Sequence, residues 1–232
     1  METTKAEQLI RKLISNPDSG NDGVLGNDLL REFHRGYPLE NLRELLLSAD
    51  DQVVKTGVFI ASELGAKATP LLGYVVTLLT HPLKVVRFDA IDSVLTCTTG
   101  INEREIAAVI SMYDDAEGAV RWKVLDYLSR LSEAQLQGAL RHFEKTAPDS
   151  DHVACIRWLT GDCGRNPNEI LSFLRSEKAL PRKYGVVGAT RLAVLNREPL
   201  EFAASVQDED VKQFASSMLK LTIATNKKLS AE

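Results

Sequence analysis

Four histidines (His34, His81, His142, His152) and three cysteines (Cys97, Cys155, Cys163) are the side chains whose types most readily do chemistry. A zinc site needs such residues at fixed short spacings, such as two histidines one helical turn apart beside a glutamate, and no such spacing occurs. His81 precedes Pro82 in a polar turn, where a solvated ring is expected. His142 and His152 can approach each other across a helical hairpin, but the pair reads as two unrelated surface groups. The cysteines are odd in number and sparse, which fits buried thiols rather than a disulfide framework. Gly23 and Gly26 lack the preceding strand and the Lys-Ser/Thr ending of a phosphate loop, and no Gly-x-Ser-x-Gly elbow is present. Asp114 and Asp115 lie at a turn and read as helix caps. No catalytic constellation, metal site or cofactor is expected from these residues.

A second chemistry is recognition. If Val86 and Ala90 face the interior of a helix, Phe88, Asp89 and Asp92 turn away from it. If Val120 and Val124 face inward, Trp122, Lys123 and Asp126 do the same. Phe88 and Trp122 occupy the same position of a repeated segment, as do Asp92 and Asp126, and Tyr184 is taken as the equivalent aromatic further on. An outward aromatic flanked by carboxylates is what a protein-binding hot spot looks like. The competing expectation is that the aromatics pack between repeats and the acids are merely solvated, because large rings usually bury most of their area. Trp158 falls near the inward positions of its own helix and is expected in the core.

The elements that position these residues repeat. The dipeptide Val-Lys/Arg occurs at Val54-Lys55, Val86-Arg87, Val120-Arg121 and Val211-Lys212, the first three 32 and 34 residues apart. Two more units fit between Val120 and Val211, one around Val153 and one at Arg182-Lys183. Each unit begins with a short amphipathic helix: Leu39–Leu47, Leu71–Leu79, Glu103–Tyr113, Glu133–Lys145, Pro167–Arg175 and Pro199–Val206. A polar turn follows, and then a second helix. Asp, Ser and Thr in such turns cap the free N–H groups of the next helix, and acids suit its dipole. Val86, Ala90, Ile91, Val94 and Leu95 share one helical face, as do Val120, Val124, Leu125, Leu128 and Leu131. Small residues (Gly57, Ala61, Ala90, Gly185, Ala189) recur where helices should approach closely. No strand alternation is found. Residues 16–27, rich in Gly, Asp and Asn, read as a linker between a helix at Thr4–Ile14 and another at Asp28–His34.

These residues resemble HEAT repeats, in which an acidic turn is followed by Val-Arg-x-x-Ala. Val86-Arg87-Phe88-Asp89-Ala90 fits fully, while Val54-Lys55-Thr56-Gly57-Val58 and Val120-Arg121-Trp122-Lys123-Val124 carry Val in the Ala place. The match is good over residues 39–132 and weak over 133–224. The resemblance implies an all-α chain, a right-handed α-solenoid of about six helical hairpins. It would form one domain over 1–232, with cap helices and linker at 1–38, repeats at 39–224 and a polar tail at 225–232. It also implies that second helices line a binding face. The run from Leu29 to Leu42 is similar to the entry of small bacterial HEAT-like proteins associated with toxin–immunity loci. That similarity implies a partner: a basic toxin domain, neutralised by tight binding.

Charge bears on which partner is expected. Residues 1–118 carry 11 basic and 18 acidic side chains, and residues 119–232 carry 17 and 14, giving a net of −4. An acidic N-terminal half suits a basic protein and disfavours a phosphate-tracking one. Some HEAT-like solenoids are nevertheless DNA glycosylases and others act on bilins. A glycosylase groove could be assembled from Arg121, Lys123, Arg157, Arg182, Lys183 and Arg191 with Trp122 and Asp126. A generic adaptor or regulatory subunit is the remaining alternative. No apolar run is long enough to cross a bilayer and no secretory leader is evident, so a cytoplasmic location is expected.

Overall fold

The computed structural model describes residues 3–21 and 23–229, with side chains through 221. Among these residues the chain is all-α, without strands. It divides into two compact units, residues 1–98 and 99–232, each taken by itself below.

The first unit begins with α1 (Lys5–Ser15), opened by a capping box in which the Thr4 side chain accepts from the Glu7 N–H and Glu7 accepts from the Thr4 N–H. The helix α2 spans Val24–His34. A 3-10 turn at Leu39–Leu42 then runs into the short α3 (Arg43–Leu46), which pairs with α4 (Asp51–Leu64). Its successor is also a broken first helix: 3-10 at Gly65–Leu71, α5 at Leu72–Thr77 and 3-10 at Leu78–Thr80, packed on α6 (Lys84–Cys97). Pro70 sits in this segment and offers no N–H to an α-helical ladder. Residues 16–27 are more ordered than a linker. A 3-10 turn occupies Pro17–Gly20, and α2 starts at Val24 rather than Asp28, with Gly26 buried against Thr56 and Phe59 of α4.

The second unit contains α7 (Glu103–Ile110), α8 (Gly118–Arg130), α9 (Glu133–Thr146), α10 (Asp151–Thr160), α11 (Pro167–Leu174), α12 (Ala179–Leu192), α13 (Glu198–Ala203) and α14 (Glu209–Leu229). Here α9 packs on α10, α11 on α12 and α13 on α14, each pair joined by a short polar turn, whereas α7 packs chiefly on α9 and α8 on α12. The first unit thus holds α1–α2 and two broken pairs, and the second unit the remaining described helices. The expected first helices fall within a few residues of the observed ones. The backbone of the expected polar tail continues α14 to Leu229, and the rest of that tail lies outside the described residues.

The expected core positions are buried: Val86, Ala90, Val94, Val120, Leu125 and Leu128 are all at or below 1% exposure. Leu95 is only half-buried, at the edge of its stripe. Small residues act where helices touch. A Cβ on Gly57 of α4 would lie 2.8 Å from Leu45 Cβ, and one on Gly185 of α12 would lie 3.0 Å from the Leu174 nitrogen on α11. Each glycine thus lets a second helix close on its own first helix.

Candidate partner-binding face

Three second helices, α6, α8 and α12, start around an arginine. On α6, Arg87 Nη1 donates to the carbonyls of His81 and Pro82 at 2.8 and 2.9 Å. On α8, Arg121 Nη1 donates to Asp115 and Ala116 at 2.8 and 3.1 Å. On α12, Arg182 Nη1 donates to Ser176 and Glu177 at 2.9 and 2.8 Å. In every case the acceptors are six and five residues back and the arginine is the fourth residue of its helix. The guanidinium fork satisfies two turn carbonyls at once and fixes how the turn enters the helix. This device was not foreseen from sequence, although the Val-Arg dipeptide marked its place.

The pinned arginine also sets the true register. Pro181-Arg182 takes the place of Val-Arg, with proline tolerated in the first turn of α12. The residue after the arginine, matching Phe88 and Trp122, is therefore Lys183, while Tyr184 matches Asp89 and Lys123. A one-residue shift rotates a helical side chain by about 100°. Tyr184 is accordingly 0% exposed rather than outward. Its hydroxyl is hydrogen-bonded to His152 Nδ1 at 3.1 Å, and burial raises its pKa well above the ordinary tyrosine value. The first repeat is displaced too: α4 begins at Asp51, so Val53 matches Val86 and Gly57, not Val58, takes the Ala place.

In the first unit, Phe88, Asp89 and Asp92 are all half-buried on α6. His81, expected to be solvated, is instead tied in. Its Nδ1 accepts from the Leu83 N–H at 3.1 Å, its Nε2 lies 3.4 Å from Asp51, and its side chain is 12% exposed. In the second unit, Trp122 is half-buried, its ring meeting Phe214 of α14 edge-on at 5.5 Å. Lys123 does not face outward: it is 7% exposed, with Nζ 3.5 Å from Asp126. Asp126 also receives Arg130 at 3.4 Å, so its charge is largely used within the helix. The seven residues proposed from sequence thus divide. Phe88, Asp89 and Asp92 belong to the first unit, Trp122 and Asp126 are partly accessible in the second, and Lys123 and Tyr184 are interior.

A charged network lies at the starts of α8, α12 and α14. Asp210 receives Arg121 in two parallel bonds of 2.8 and 2.9 Å and lies 3.1 Å from Lys183 Nζ. Lys183 Nζ also donates to the Tyr113 carbonyl at 2.7 Å. Burial alone would raise the Asp210 carboxyl, but its hydrogen bonds from Arg121 and Lys183 outweigh this and hold it below the usual aspartate range. The bond to Asp210 in turn raises Arg121. Nearby, Arg182 binds Asp208 at 2.8 Å. The acidic turn 207–210 is therefore clamped by cations rather than offered to a partner.

Deeper in the second unit, His152 is stacked on Phe143 at 5.0 Å and meets Tyr113 edge-on at 4.9 Å. Burial pushes its pKa from 6.5 down to about 4, so it is a neutral core ring rather than a surface group. Trp158 stacks on Phe173 at 3.8 Å beside Gly188 and is half-buried, not fully core. Cys97 and Cys155 are buried free thiols and Cys163 is exposed. No group of three or more His, Cys, Asp or Glu that could hold a metal occurs among the described residues.

No protein-family model matches the chain, and no curated protein matches it. Among solved structures, it is similar to a designed armadillo repeat protein in complex with the peptide (KR)4, at 14% identity and a TM-score of 0.49, covering 94% of this chain and 99% of that one. It is also similar to a computationally designed armadillo repeat protein for modular peptide recognition, at 14% identity and a TM-score of 0.45, covering 92% and 98%.

Proposed function

We propose that this chain is a protein-binding helical-repeat scaffold, and in its sharpest form an immunity-type protein that neutralises a basic toxin domain by tight binding. The observation that carries this is the half-exposed aromatic directly after the pinned arginine, Phe88 on α6 and Trp122 on α8. A ring held at a helix start fixed by main-chain hydrogen bonds is pre-organised, and it loses little freedom when a partner covers it. Asp89 and Asp92 beside Phe88 suit a basic partner, and rim carboxylates mainly accelerate encounter.

The glycosylase alternative loses its charges. Arg121 is held by Asp210, Arg182 by Asp208, Lys123 by Asp126 and Arg157 by Glu144. Lys183 is held by the Tyr113 carbonyl and Asp210, so of the six only Arg191, which donates to the neutral Leu131 carbonyl, has no carboxylate bonded to it. A groove that tracks phosphates needs cations free to replace counterions. The adaptor alternative differs from the immunity one only in the partner.

The test is kinetic. The product of the gene beside this one is purified, and its binding to the intact chain is followed by surface plasmon resonance. Phe88→Ala and Trp122→Ala should each speed dissociation, consistent with anchors worth about 2–4 kcal/mol. Asp89→Asn with Asp92→Asn should slow association and flatten its salt dependence. Unchanged dissociation for both aromatic variants would place the partner elsewhere. If the neighbouring product does not bind at all, the immunity form fails.

A further inference from the structure

The second unit has a cleft of about 350 Å³ near the C-terminal end of α12, far along that helix from the pinned Arg182. Leu136 and Leu159 are buried at its base, Leu192 is half-buried, and Leu195 at its rim is 88% exposed. The adjacent Val194 is 90% exposed. Two neighbouring large apolar side chains left in water beside an apolar cleft form a surface that a ligand can cover.

Two arginines line the same cleft. Arg191 Nη2 donates to the Leu131 carbonyl at 2.6 Å, a neutral acceptor, and the one carboxylate acting on it is Glu133, which also lines the cleft. Arg165, at the end of the 3-10 turn Asp162–Arg165, is only loosely met by Glu133 at 3.6 Å, both side chains being more than 60% exposed. Desolvation of the guanidinium, and then the charge of Arg165, push Arg191 below the ordinary arginine range and Glu133 opposes this, although the residue as a whole is exposed. Two arginines against the single carboxylate of Glu133 leave the cleft net positive over a leucine floor, which suits an anion joined to an apolar group.

We propose that this cleft captures the free C-terminus of a partner polypeptide, its carboxylate accepting from Arg165 and Arg191 and its last, apolar side chain lying on Leu159, Leu192 and Leu195. In a chain terminus the carboxylate and the side chain share one carbon, as a small two-sided cleft demands. The volume, near the lower end for ligand pockets, takes a terminal residue or two rather than a chain passing through. The site is separate from the second-helix aromatics, and its test needs no cognate partner, so either proposal can fail alone.

The probe is a set of N-acetylated pentapeptides ending in Leu, Val or Phe, made with a free carboxylate and as the carboxamide, with octanoate alongside. Each is titrated into the intact chain at low salt and followed by NMR. The free acids should shift resonances of residues 159–165 and 191–195, with affinity that falls as salt rises. The amides should bind about tenfold more weakly or worse, because a charge-assisted fork is lost. Arg165→Gln should weaken the acids without unfolding the chain, and Leu195→Ser should weaken them while leaving the acid–amide ratio unchanged. Equal binding of acid and amide, no shift with any peptide, or full binding by Arg165→Gln would overturn the proposal. Octanoate binding as tightly as the peptides would overturn the assignment to a polypeptide terminus.

Discussion

At the scale of single residues, the chemistry here is mostly neutralised within the fold. His152 is the clearest case. Its folded pKa of about 4 lies below the ordinary 6.5, so the unfolded chain takes up the proton first. Stability is therefore whole above pH 6.5, declines as pH falls towards 4, and declines no further from this group below that. The full effect is about 3 kcal/mol at most. His152→Gln, which cannot titrate, should remove this component from a series of urea melts between pH 7 and 4. Parallel curves for the two proteins would mean that the ring is charged or solvated in the fold. Arg121 illustrates the opposite limit, a cation that the fold needs. Arg121→Ala strips donors from two turn carbonyls and from Asp210, and should cost about 2–4 kcal/mol by chemical denaturation. Tyr184 shows why residue-level reading from sequence is fragile. The aromatic was visible, but Pro181 replaces the expected valine, the register slipped by one, and a core ring was assigned to the surface. An alignment on the arginine rather than on the aromatic would have found it.

At the scale of elements, most of the architecture was legible because apolar periodicity, polar turns and small residues agree with one another. The stripe Val120, Val124, Leu125, Leu128 and Leu131 is buried as the 3.6-residue period requires. Leu125→Ala should cost about 2–5 kcal/mol in thermal or urea unfolding, and a loss below about 1 kcal/mol would contradict the helical phase. The close approaches were legible as small residues but not as distances. Gly57→Ala drives a methyl group into Leu45 and should cost about 1–3 kcal/mol, whereas Gly73→Ala, which meets nothing within 4 Å, should be neutral or stabilising. The broken first helices escaped detection in part. Leu71–Leu79 has a helical pattern, but Pro70 and the preceding Gly65, whose φ is +56°, favour a 3-10 turn ahead of a short α-helix.

At the scale of the whole molecule, net charge is a coarse guide to what a surface offers a partner. The acidic turn 207–210 contributes to the net charge of −4, yet Arg121, Lys183 and Arg182 consume it internally. Several cations of the second unit are likewise paired within it, and Arg165, which Glu133 meets only loosely, was not among the residues first assigned to a partner. Pairing depends on where turns meet across repeats, which composition does not encode. On the proposed reading, the aromatic anchors for a partner are a limited set of positions at the starts of second helices. The most direct test is hydrogen–deuterium exchange on the intact chain with and without the protein encoded beside it, at a concentration that saturates the complex. Protection is predicted over residues 84–92 of α6 and 118–126 of α8, with little change over the first helices α7, α9 and α11. Protection confined to those first helices, with the second-helix starts exchanging as in the free protein, would contradict the account.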